Sequence, residues 1–237
     1  MGVVIFNNIS SKDYDIQVEK MPDYEIPERD YDIIHVPGRN GDILIDKGSY
    51  KNVTRTYLLS VGSLVKDFTS MANSISEWLQ SASGYARLED SYEPEYYRLA
   101  MYQNSGVIEN ILGSAGRTTI AFNCKPQRFL KSGDQSNVFS DDGKIHNYTQ
   151  FKSLPIITVK GTGSGSIRIG EYTVLISSID SFVVINSEVQ DAYSGTINKN
   201  STITLNNGFP KLSPGDNEIS FSGGITSVEV IPKWWTL

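Results

Sequence analysis

Along most of the chain, apolar and polar residues alternate over short runs broken by glycine, proline and asparagine, the pattern of half-buried strands joined by turns. In the first half, residues 3–6, 31–36, 42–46 and 50–60 read as strands. The last alternates most plainly, with Val53, Tyr57 and Leu59 set between Asn52, Thr54 and Thr56. Residues 31–36 and 42–46 flank Pro37-Gly38-Arg39-Asn40-Gly41, where Asn-Gly predicts a hairpin because both residues accept φ > 0. Residues 85–88, 96–102, 107–112 and 118–124 follow as short strands, and Lys125-Pro126 reads as a break because proline cannot donate to a ladder.

The period changes once. Leu64, Val65, Phe68, Met71, Ile75, Trp78 and Leu79 recur at helical spacing and place one apolar stripe on a helix, with Ser63 as N-cap and Gly84 as the stop. Met71 and Trp78 on this stripe are expected to anchor the core.

Residues 131–152 turn polar and read as a linker flanking one strand, which divides the chain into domains at 1–130 and 153–237. Beyond it, residues 155–160, 166–169, 173–176, 182–185, 201–205, 217–222 and 227–231 alternate as about seven strands, the spacing of a β-sandwich. Gly161-Thr162-Gly163-Ser164-Gly165 lies between two of these strands and is expected to be a hairpin connection, since a phosphate cradle needs a helix behind it.

Composition sharpens this picture. An aromatic share of 11%, with 13 Tyr and 20 Gly, favours strands and tight turns. The net charge of −6, with neither half basic, argues against a nucleic-acid groove. A lone cysteine, Cys124, leaves no intrachain disulfide or cysteine-based zinc site and is expected to be a small buried residue. The N-terminal residues lack the basic and apolar regions of a signal peptide, and no apolar run approaches the ~20 residues of a membrane span.

No catalytic constellation emerges. His35 is read as a sheet-face residue and His146 as solvated in the linker. Glu89, Asp90, Glu93 and Glu95 surround Pro94 in a turn, where they are expected to be hydrated and ionised rather than set across a cleft as a glycosidase requires. Trp234-Trp235 is the candidate for a sugar-stacking platform, weighed against one indole packing into the core. No metal or cofactor is implied.

Three segments carry a family signature: Val36-Pro37-Gly38-Arg39-Asn40-Gly41-Asp42 followed by Tyr50-Lys51-Asn52-Val53; Trp78-Leu79 with Gly84-Tyr85-Ala86-Arg87-Leu88-Glu89-Asp90 and then Tyr97-Arg98-Leu99-Ala100; and Phe122-Asn123-Cys124-Lys125-Pro126-Gln127-Arg128-Phe129. In this order they resemble the distal tail protein (Dit) family of siphophages that infect Gram-positive bacteria. The second half resembles the family more loosely, through Ser153-Leu154-Pro155-Ile156-Ile157-Thr158-Val159, Phe209-Pro210-Lys211-Leu212 and Gly215-Asp216-Asn217.

The resemblance implies a mainly β chain: an N-terminal β-sandwich-like belt domain with one long helix and a β-hairpin arm, then a C-terminal galectin-like β-sandwich. It also implies a virion protein, made in the bacterial host cytoplasm, that forms a homohexameric ring in the tail tip or baseplate. The ring would meet the tail tube protein on one face and the tail-associated hub protein on the other. Receptor-binding or other baseplate proteins would attach outward. Within that frame Arg39, Asn40, Gly41 and Asp42 are expected at the ring contact, with Arg39 and Asp42 as charge partners across it. The alternative is a carbohydrate-binding adhesin using Trp234 and Trp235. The galectin sugar motif itself is missing: His146 is not followed by Asn-x-Arg, and there is no Trp-x-x-Glu-x-Arg.

Overall fold

Short alternating runs make short strands, and the computed structural model is mainly β, as that pattern predicts. It describes residues 2–62, 68–103, 109–110 and 115–237. Two units divide the chain, the first running to Arg128 and taking in Leu237, the second spanning Phe129–Thr236.

The first unit contains β1 (Val4–Phe6), β2 (Ile9–Ser10), β3 (Ile16–Val18), β4 (Arg29–Ile34), β5 (Ile43–Tyr50), β6 (Val53–Gly62), α1 (Phe68–Leu79), β7 (Ala86–Asp90), β8 (Tyr96–Tyr102), β9 (Glu109–Asn110) and most of β10 (Ala115–Leu130). Its main sheet runs β2-β1-β7-β8-β10-β6-β3. Gly2 and Val18 exchange backbone hydrogen bonds of 3.3 and 3.1 Å, so the β3 end of the sheet meets the chain entering β1. That closure leaves less open strand edge.

Helix α1 covers the core. Met71, Ile75, Trp78 and Leu79 are buried at the predicted spacing, each contributing about 1.5–3 kcal/mol by leaving water. The Trp78 indole donates to the carbonyls of Phe6 at 3.3 Å and Ile9 at 3.2 Å, which satisfies its polar atom in the interior. The predicted N-cap Ser63 and the stripe residues Leu64 and Val65 lie outside the described residues. Gly84 does not end the helix: α1 stops at Leu79, and Gly84 lies beyond it without a positive φ.

Residues 107–112 were expected as one strand; among them only Glu109–Asn110 are described, and they pair with Gly116 and Arg117. Lys125-Pro126 does not break β10. Pairing of β10 with β6 ends at Cys124 opposite Val53, so Pro126 extends the strand past that ladder, where a missing N–H removes no bond to β6. Cys124 is fully buried, and burial pushes its thiol up to about 11.

The second unit contains β11 (Asn137–Phe139), β12 (Gly143–Asn147), β13 (Ile156–Ile169), β14 (Tyr172–Ile179), β15 (Phe182–Asn186), β16 (Asp191–Ser194), β17 (Ile197–Asn198), β18 (Ile203–Asn206) and β19 (Gly215–Ile231). The expected linker at 131–152 is instead integral to this unit. Residues Lys131–Asp134 form a 3₁₀ turn, and β11 and β12 both pair with β19. Its polarity misled because β12 alternates a buried Ile145 and Asn147 with outward Lys144 and His146.

Two strands, β13 and β19, pass through both layers of this sandwich. The first part of β13 pairs with β15 and with the end of β19; its last part pairs with β14 and the start of β19. The layer change falls at Gly161–Gly165, which is therefore a bulged corner inside one strand and not the expected hairpin connection. Glycine is required there: a Cβ on Gly224 would sit 1.7 Å from the carbonyl oxygen of Thr162, and one on Gly161 would sit 2.1 Å from that of Gly224. Ile157, Val159, Ile167 and Ile169 alternate inward on either side of the corner and fill the core.

Candidate functional site

The hairpin of β4 and β5 forms a two-stranded sheet of its own. Pairing sets Tyr31 opposite Asp46, Asp32 opposite Ile45, Ile33 opposite Leu44, and Ile34 opposite Ile43. Side chains alternate between faces, so Tyr31, Ile33, Leu44 and Asp46 share one face, and Asp32, Ile34, Ile43 and Ile45 share the other.

Near its base the charges neutralise one another within the hairpin. Arg29 grips Asp46 on one face, with Nε to Oδ2 at 2.9 Å, and that contact holds the Asp46 carboxyl below the usual range. On the other face Lys47 meets Asp32 at 2.8 Å and Asp30 at 3.6 Å. Toward the tip both faces are aliphatic and open to water: Ile33 is 66% exposed, Leu44 60%, Ile45 49% and Ile34 45%. A two-stranded ribbon is marginal alone in water, and one that is apolar on both faces has the character of a strand covered on both sides.

The tip is longer than the five-residue connection 37–41 read from the sequence. An eight-residue connection, 35–42, joins the strands, with Gly38 at φ +81° and Gly41 at φ +80°, while Asn40 keeps a negative φ. His35 lies just past the strand end rather than on a sheet face, and its Nδ1 is 3.0 Å from Asp42 Oδ1. Asp42 thus has a partner within its own hairpin. Arg39 has no ion-pair partner among the described residues, and Arg39, Asn40, Gly41 and Asp42 are all exposed. Sequence reasoning missed Ile33, Ile34, Leu44 and Ile45, although the unbroken runs Ile33-Ile34 and Ile43-Leu44-Ile45 are the signal of a strand apolar on both faces.

In the acidic turn after β7, Glu95 is exposed as expected, but Asp90 and Glu93 are not. Asp90 and Glu93 have side chains only 5% and 14% exposed, and Arg55, at 3%, reaches each of them at 3.1 Å. Arg98 and Arg128 also hold Glu93, at 3.3 and 2.6 Å. The Tyr57 hydroxyl donates to Asp90 at 2.8 Å, and burial, then the neighbouring Asp90 charge, push its own ionisation well up. Burial opposes the Arg55 charge, but the surrounding Tyr57 and Asp90 outweigh it and raise its pKa. The cavity here is about 10 Å³, too small for a substrate. These carboxylates brace the first unit.

No family model matches the sequence, and no curated protein matches it. The fold does match. The crystal structure of the Dit protein (gp 19.1) of phage SPP1, a paradigm of the hub adsorption apparatus in phages that infect Gram-positive bacteria, aligns over 100% of both chains with a TM-score of 0.77, at 10% identity. The chain has the distal tail protein fold.

Within this Dit fold, of the two readings weighed for Trp234-Trp235, it is the core-packed indole that the structure shows, not the sugar platform. Trp234 is buried in the second unit's core at 7% exposure, and its carbonyl accepts from Leu130 N–H at 2.9 Å. Trp235 is half-buried, stacks on Phe151 at 4.4 Å, and donates its indole N–H to the Lys152 carbonyl at 3.0 Å. Neither indole presents a free platform. His146 lies on β12, with its Nδ1 against Asp216 and its ring 4.4 Å from that of Tyr148. Among the described residues, no cluster of His, Cys, Asp and Glu is arranged to hold a metal ion, and no helix is long and apolar enough to cross a membrane.

Proposed function

We propose that this chain is a structural component of a phage tail tip, assembling through its first unit into a hexameric ring. The ring joins the tail tube to the tail-associated hub protein and the receptor-binding apparatus. The observation that carries the reading is the β4–β5 hairpin, aliphatic on both faces toward its tip and uncovered in a single chain. A closed ring repeats one heterologous contact around an axis, and an arm that docks on the next subunit supplies one side of such a contact. The likeness to a hub adsorption protein supports the same reading.

Mass measurement in solution, with negative-stain imaging, tests it. The expected result is a particle of six times the 26.3 kDa chain mass with a central channel. A chain that stays monomeric at its highest attainable concentration, with no rings in images, removes the reading.

The tip can be probed separately. Gly41→Val places a β-branched side chain at φ +80° with no atom within 4 Å of its Cβ, so the penalty is backbone strain alone, about 1–2 kcal/mol. Ring formation is expected to weaken, with stability to unfolding lowered by no more than that strain. A variant as hexameric as the parent would take Arg39–Asp42 out of the contact.

A further inference from the structure

The outward surface of β12, β19 and β13 in the second unit carries a feature outside the ring contact proposed above. Ile145 and Asn147 of β12 point into the core, so Lys144 and His146 point out. Across the ladder, Lys144 is opposite Glu218, and His146 is opposite Asp216. On the other side of β19, Arg168 is opposite Ser220.

Two parts of this surface differ in character. At one end an aromatic pair stands in water, with Tyr148 83% exposed and its ring 4.4 Å from the His146 ring. The His146 ring is held from the neighbouring strand, where Asp216 engages its Nδ1 and accepts from Lys144 Nζ at 2.9 Å, and Tyr148 rests against that ring. The Tyr148 ring therefore offers an exposed aromatic face for stacking.

At the other end is an open cavity of about 390 Å³, within the range of small-ligand sites, walled by Asp142, Lys144, Arg168, Glu218 and Ser220. Arg168 uses only its Nε–H internally, on the Gly170 carbonyl at 3.1 Å. Glu218 has no salt-bridge partner among the described residues, although Arg168 lines the same cavity. Donors and acceptors therefore stand side by side, with Arg168 and Ser220 offering N–H and O–H groups, and Glu218 and Asp142, whose Oδ1 also accepts from Phe221 N–H at 3.2 Å, offering carboxylate oxygens.

This combination selects the ligand class. A hydroxyl group donates and accepts at once, so vicinal hydroxyls satisfy a guanidinium and a carboxylate together. A pyranose also has an apolar C–H face suited to an aromatic ring. Three carboxylates, Asp142, Asp216 and Glu218, outnumber the two cations Lys144 and Arg168 on this surface, which disfavours a polyanion such as nucleic acid or a phosphate polymer. From Lys144 to Tyr148 the strand and its extension span about 13 Å, enough for several rings.

We propose that this face of the second unit binds a neutral oligosaccharide, with one ring stacked on Tyr148 and hydroxyls held by Arg168, Glu218 and Asp142. The site rests on the second unit alone and is independent of ring assembly.

Titration calorimetry of the full chain against a panel of neutral trisaccharides to hexasaccharides of glucose, galactose and N-acetylglucosamine tests it. At least one is expected to bind with Kd of about 1 mM or tighter, the range of a single stacked ring with a few hydrogen bonds. Tyr148→Ala and Arg168→Ala should each weaken that binding roughly tenfold, and Tyr148→Phe, which keeps the ring, should preserve it. Val138→Ala, at an exposed position on β11, should leave it unchanged. All three positions are exposed, and circular dichroism should show the fold retained. Absence of binding across the panel overturns the proposal, as does binding that the Tyr148 and Arg168 alanine variants leave intact.

Discussion

Replacing Arg55 with methionine is expected to destabilise the first unit by about 3 kcal/mol or more, read as a lowered midpoint in urea unfolding. The guanidinium sits almost wholly out of water against Asp90 and Glu93, and it also donates to the Asp23 carbonyl at 3.0 Å. Methionine fills much of the volume but leaves two buried carboxylates without that charge. Asp90 would keep the Tyr57 hydroxyl and the backbone N–H groups of Tyr92 and Glu93, and Glu93 would keep Arg98 and Arg128. That residual support sets the figure at the low end for breaking a buried pair. Arg117 supplies the contrast. It pairs with Glu19 at 2.6 Å but is 57% exposed, so Arg117→Ala should cost no more than about 1 kcal/mol. Equal losses for the two variants would mean that the buried network does not brace the unit.

A second large effect is expected from Ile33→Asp combined with Leu44→Asp. These residues face each other on one side of the hairpin and are largely exposed in the single chain. The unfolding midpoint should therefore change little. In the proposed ring each side chain is covered by the neighbouring subunit, where burial contributes about 1.5–3 kcal/mol per residue, so losing both weakens each contact by roughly a hundredfold or more. Light scattering should show the ring replaced by monomer. A double variant that still forms hexamers would show that this face of the arm is not in the contact. The same result for Ile34→Asp with Ile45→Asp would test the opposite face and distinguish an inserted arm from one laid on a surface.

Local patterns were legible wherever a residue's role is set by its immediate neighbours. The stripe Met71, Ile75, Trp78 and Leu79 announced a helix packed on a sheet, and Gly41 announced a left-handed backbone position. What escaped depends on partners far along the chain. Asp90 and Glu93 looked like a hydrated turn because Arg55 and Arg128, which hold them, lie about 35 residues away. Asn147 fell within what read as a polar linker, yet its amide donates to Phe151 and Leu212 carbonyls at 2.9 and 3.1 Å and is buried by that satisfaction. Gly161–Gly165 read as a hairpin connection because a one-dimensional pattern does not separate a turn from a corner. Trp234 and Trp235 are adjacent in sequence but were separable only once β19 and Phe151 were in place. The candidate arm was half visible: its tip glycine stood out, while its aliphatic runs resembled ordinary core strand.

The glycine corner has a kinetic side. Because β13 and β19 thread both layers, neither layer can complete its hydrogen bonding before the other, and the second unit should gain its structure in one concerted step. Its pairings reach far along the chain, joining Gly143 to Ile219 and Asn137 to Val230, so large loops must close before any ladder rewards them. Such topologies fold in milliseconds to seconds rather than microseconds. On a ribosome the second unit would therefore wait for residues up to Ile231, while the strands of the first unit are already free to pair.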